Sequence, residues 1–164
     1  MMYVAKNMRT SPRLRPQTGF TLIELTIATG ILMIISTAAL PVIRFTILRE
    51  REYQLHKDLR EMRLAIDRYK DDADRNLLRT EVGSEGYPPD LDTLVKGVNT
   101  GTSGTDKKRY LRRIPVDPIT GTKDWGLRSI QDDVDSTSWG GGNVFDVYSK
   151  SQAIALDGTK YSDW

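Results

Sequence analysis

Apolar and polar positions divide this chain into three regimes. From Phe20 to Ile43, 16 of 24 residues are apolar and only Glu24 is charged. As a helix that run measures about 36 Å, enough to cross a hydrocarbon core of about 30 Å. Past Pro41 the pattern turns amphipathic: Leu48, Leu55, Leu59, Met62, Ile66, Tyr69 and Ala73 recur at steps of three, four or seven. That spacing predicts one apolar stripe on a long helix running to about residue 78, with Arg, Glu, Lys and Asp opposite. Gly30 and Pro41 are places where such a helix bends or locally melts. The third regime, from about residue 81, is polar and rich in turns.

Within that third regime, Gly83-Ser84-Glu85-Gly86 reads as a helix breaker. Residues 91–96 read as a short helix capped by Asp90 and stopped by Gly97. Residues 99–106 read as a flexible Thr/Gly/Ser loop, and 107–113 as a helical turn with Tyr110, Leu111 and Ile114 inward. Ile114 to Gly121 is an extended segment ending in a turn. Residues 125–130 and 144–149 are strand-like. The predicted class is α+β, a long amino-terminal helix packed on a small antiparallel sheet. A coiled-coil stalk would use the same stripe, but the downstream strands need a face to cover.

Charge changes the picture at the amino terminus. The whole chain is +2, yet residues 1–19 carry Lys6, Arg9, Arg13 and Arg15 and no acid. Without them the balance is −2, which argues against nucleic acid as a partner. A basic leader before an apolar run fits a secretory signal, a plain membrane anchor, or something more specific. Glu24 decides between them, because a carboxylate in an apolar run costs roughly 2.5–3.5 kcal/mol at mid-bilayer and needs a partner. No Lys, Arg or His lies within a helical turn or two of it. Cutting after Gly19 would place a free amine on Phe20, with Glu24 the fifth residue. Between staggered copies, one copy's amine could meet another's carboxylate and fix their register.

Gly19-Phe20-Thr21-Leu22-Ile23-Glu24 followed by the apolar run resembles the class III signal of type IV pilins and pseudopilins. Y-P-P-D-L-D-T-L, Y-L-R-R-I-P-V-D-P-I-T-G, F-D-V-Y-S and A-L-D-G downstream resemble the major pseudopilin of type II secretion systems. A pilin of a surface fibre usually closes its last loop with a disulfide, which a chain without cysteine cannot form. The resemblance implies a leader at 1–19 removed by a prepilin peptidase, with cleavage between Gly19 and Phe20 and methylation of the new amine. It implies a transmembrane and filament-core helix at 20–43, an amphipathic periplasmic helix at 44–80 and a small α+β domain at 81–164. It implies a homopolymer in the periplasm, built from the inner membrane with minor pseudopilins and an assembly platform as partners. It also implies calcium in the carboxyl-terminal loop, with Asp157 and Asp163 as ligands and oxygens added by Leu156 and Ser149. The residues themselves leave a plainer alternative, in which Asp157-Gly158 is a β-turn and Asp163 a solvated end group.

Other constellations carry less. Asp132, Asp133 and Asp135 read as a solvated loop, and His56 as a solvated surface histidine. No catalytic set is expected, since no metalloprotease, phosphate-loop or nucleophile-elbow motif occurs. The rivals to a pseudopilus subunit are a surface pilin and a membrane-anchored periplasmic binding module with its leader retained.

Overall fold

The computed structural model describes residues 19–100 and 106–164, with the backbone alone described at 38–42 and 106. The chain forms two compact units, Met1–Val42 and Ile43–Trp164. Helix α1, Leu22–Asp74, contributes to both. The leader expected at 1–19 lies, up to residue 18, outside the described residues.

In the second unit the apolar stripe of α1 is the core. Leu55, Leu59, Met62, Ala65, Ile66 and Tyr69 are buried, and Ala73 packs at their edge. Leu91, Leu94, Tyr110, Leu111, Trp125, Val144, Val147 and Tyr161 cover them from the rest of the chain. The docked arrangement therefore holds over a free stalk, because the short downstream elements have no other apolar surface to bury.

Helix α1 stops at Asp74, four residues earlier than its periodicity predicts. Asn76 takes a left-handed φ of 57°, with its N–H on the Ala73 carbonyl and that of Leu77 on the Asp72 carbonyl. This is a Schellman stop made with Asn, and the expected breaker at Gly83–Gly86 lies beyond it. Helix α2, Leu91–Lys96, is capped as expected: the Thr93 N–H donates to Asp90 Oδ1 at 2.6 Å, and Gly97 follows at φ 79°.

The strands differ from the expected single sheet. β1 (Val98–Thr100) pairs antiparallel with β2 (Asp106–Lys108), and β3 (Gly126–Arg128) with β4 (Asp146–Tyr148). These are two separate two-stranded ribbons. The first pair, in which Val98 faces Lys108 and Thr100 faces Asp106, corrects the expected helical turn at 107–113 and the two ends of the expected loop at 99–106, whose residues 101–105 lie outside the described residues. Tyr110 and Leu111 do point inward; both their N–H groups donate to the Leu94 carbonyl.

One core position is electrostatically costly. Asp58, on α1, is 5% exposed and takes the Gln54 amide N–H at 2.7 Å. Burial pushes its pKa above the ordinary carboxylate value of 3.8. A raised folded-state pKa means the ionised form weighs against folding, fully above that pKa and not at all below the unfolded value. Asp58→Asn is therefore expected to raise the melting temperature at pH 7, the gain shrinking as pH falls towards 4. A lower melting temperature at pH 7 would contradict this.

Candidate functional site

Two regions carry the expected chemistry, the start of α1 and the carboxyl-terminal tail. At the first, Gly19 and Phe20 are exposed and precede the helix. Thr21 caps it: Thr21 Oγ1 accepts the Glu24 N–H at 3.3 Å, and the Thr21 carbonyl accepts the Leu25 N–H at 3.1 Å. Thr21-Leu22-Ile23-Glu24 has the spacing of a capping box, which places the Glu24 carboxylate in the first turn, where the helix dipole favours a negative charge. So part of the reason for Glu24 is local. A Thr three residues before a Glu is the local signal of this cap, masked here by the apolar run around it.

From Leu22 to Ile35 the helix exposes apolar residues around Glu24. Leu22, Ile23, Leu25, Ile27, Ile31, Leu32, Met33, Ile34 and Ile35 are all more than half exposed. The threonine hydroxyls among them are satisfied within the helix. Thr26 donates to the Ile23 carbonyl at 2.8 Å, Thr29 to that of Leu25 at 3.0 Å and Thr37 to that of Ile34 at 2.8 Å. A segment with this surface needs lipid or other apolar helices around it. Among the described residues no helix is long and apolar enough to cross a membrane. Positions 38–42 of the Phe20–Ile43 run are outside the described side chains.

The tail is held to α1 by side chains far away in sequence. Glu52 Oε1 accepts the Leu156 N–H at 2.8 Å and the Tyr161 hydroxyl at 2.9 Å. Burial, then the Glu52 carboxylate, pushes the Tyr161 hydroxyl up to about 12. Arg63 donates to Asp146 Oδ1 at 2.6 Å, to the Val147 carbonyl at 3.1 Å and to the Trp164 carbonyl at 2.9 Å. His56, expected to be simply solvated, stacks on the Trp164 indole with ring centres 4.0 Å apart. The indole N–H donates to Thr159 Oγ1 at 2.6 Å.

Each of the four residues expected to hold calcium takes part in a hydrogen bond. Asp157 Oδ1 accepts the Thr159 N–H at 2.9 Å and its hydroxyl at 2.7 Å, bonds that hold the Asp157 carboxyl below the usual range. With Gly158 at φ 90° this is a tight turn. Asp163 is exposed and takes the Ser162 hydroxyl at 3.1 Å. Leu156 gives its N–H to Glu52. Ser149 is fully buried and donates to Asp117 Oδ2 at 2.6 Å. Among the described residues no three His, Cys, Asp or Glu side chains converge on one point. In the acidic loop, Asp132 Oδ2 accepts the N–H groups of Ser129 and Gly140 at 2.7 and 3.1 Å. These bonds lower the pKa of Asp132 and close the loop.

The family model for the prokaryotic N-terminal methylation motif matches residues 14–40. That span contains Gly19, Phe20, Glu24 and most of the apolar run, and the match supports a type IV pilin-like assignment. No curated protein and no solved structure matches the chain.

Proposed function

We propose that this chain is the structural subunit of a periplasmic pseudopilus that drives protein export by type II secretion. The observation that carries the reading is the methylation motif at 14–40, which overlaps a helix whose apolar residues from Leu22 to Ile35 are exposed. A prepilin peptidase cuts between Gly19 and Phe20 and methylates the new amine. The segment 20–43 holds the subunit in the inner membrane with residues 44–164 in the periplasm. Subunits leave the bilayer by burying that helix against other copies, which exchanges lipid contact for packing. Glu24 meets the amine of a neighbouring Phe20, and the pair sets the stagger. An unpaired charge in apolar surroundings is penalised far more than a paired one, so wrong registers are disfavoured. Minor pseudopilins, the assembly platform and the filament's motor are the partners this role requires.

The absence of cysteine and the downstream segments favour the pseudopilus over a surface pilin. Deleting the gene is expected to leave exoproteins in the periplasm, while wild-type cells show no long surface fibres by electron microscopy. Long fibres lost on deletion, with secretion intact, would replace this reading by the pilin.

Calcium at the carboxyl-terminal loop is a separate proposal, resting on Asp157 and Asp163. Adding calcium to chelator-treated protein is expected to raise the melting temperature, and Asp157→Ala to abolish that response. An unchanged melting temperature in the parent removes the site.

A further inference from the structure

The segment Lys107-Lys108-Arg109-Tyr110-Leu111-Arg112-Arg113 holds five cations and no acid. Its two apolar members anchor it. Tyr110 and Leu111 are buried, their N–H groups sit on the Leu94 carbonyl, and the Tyr110 hydroxyl donates to Asp72 Oδ2 at 2.6 Å. Lys108 pairs with the same Asp72 oxygen at 2.5 Å. The remaining cations, Lys107, Arg109, Arg112 and Arg113, are exposed, and none enters an ion pair among the described residues. A pinned strip of charge with four cations outside any ion pair among the described residues suits an acidic partner.

The same chain offers one. The loop after β3, closed through Asp132, projects Asp133 and Asp135 into solvent with Val134 between them at 89% exposure. Neither Asp133 nor Asp135 enters an ion pair among the described residues, so the two sets do not satisfy each other within one chain. A bilayer surface suits the strip less well. Asp72, where it is pinned, lies roughly 44 Å along α1 beyond Ile43, the end of the apolar run, against a Debye length of about 8 Å.

We infer that the basic strip of one copy docks on the acidic loop of another. The inference rests on the polymer reading above. Two different surfaces meet, so the contact can run head to tail from copy to copy, the arrangement a filament requires. Exposed pairs of this kind add little affinity each; they steer encounter and select register, so assembly is expected to weaken as salt rises. Here the apolar helices supply the cohesion and the charged surfaces choose the neighbour.

The chain's lack of cysteine makes the test direct. In full-length protein in cells, Arg113→Cys together with Asp133→Cys is expected to give, on oxidation, a ladder of dimers, trimers and higher species. Each single change should give no ladder. In parallel, Arg112→Glu with Arg113→Glu is expected to cut assembled protein about tenfold. Adding Asp133→Arg and Asp135→Arg should restore it. Filaments that form with no ladder and survive the charge reversal overturn this contact while leaving the polymer reading standing. Loss without restoration by the reciprocal change also overturns it and assigns the strip to another acidic partner. Failure of the unaltered chain to polymerise removes both.

Discussion

Gly126→Ala is expected to destabilise the second unit by about 2–3 kcal/mol, lowering the melting temperature of the detergent-extracted chain by roughly 8–12 °C. Gly126 stands directly opposite Tyr148 in the β3–β4 pair, and the Tyr148 ring lies over it. A methyl group at 126 would overlap that ring. The ring cannot retreat cheaply. It is 4% exposed, the Arg128 guanidinium lies 4.2 Å from its centre, and its hydroxyl donates to the Thr137 carbonyl at 3.2 Å. An aromatic covering a cross-strand glycine in this way supplies the packing that glycine lacks. The cost should vanish in a Tyr148→Ala background, where alanine suits a strand better than glycine. Thermal denaturation of the four proteins of that cycle decides it. Equal costs in both backgrounds would show that the ring is not what the methyl meets.

Glu24→Val is expected to abolish assembly while the subunit still enters the membrane. Thr21 Oγ1 accepts the backbone N–H of residue 24 and does not need its side chain, so the helix start survives the change. Removing the carboxylate also makes the run more apolar, which favours insertion. What is lost is the partner of a neighbour's ammonium group, and breaking a desolvated pair by deleting one member costs about 3–5 kcal/mol. Cross-linking of membranes should show monomer at the wild-type level and no higher species. Normal filaments from the variant would refute the role given to Glu24.

The stripe from Leu55 to Tyr69 was legible because a helix of this length repeats its period many times, and Asp90 and Gly97 because caps are local. The pairing of Val98–Thr100 with Asp106–Lys108 was not, since three residues are too few to show an alternation. The stop at Asn76 hid because Asn adopts a left-handed φ less often than Gly and carries no comparable signal. At the tail, Asp157-Gly158 was readable as a turn. The hold of Glu52 on Leu156 and Tyr161, and the stack of His56 on Trp164, join residues about a hundred positions apart, and nothing local announces them. The bond from the Ser149 hydroxyl to Asp117 joins residues 32 positions apart and has no local signal either.

The account stands on a free amine at Phe20. Amino-terminal sequencing with intact mass of the membrane-extracted protein tests it most directly. The expected chain starts at Phe20 and carries one added methyl group. A mature chain starting at Met1 or Met2, without that methyl, would leave Glu24 with no terminus to meet and would contradict the polymer.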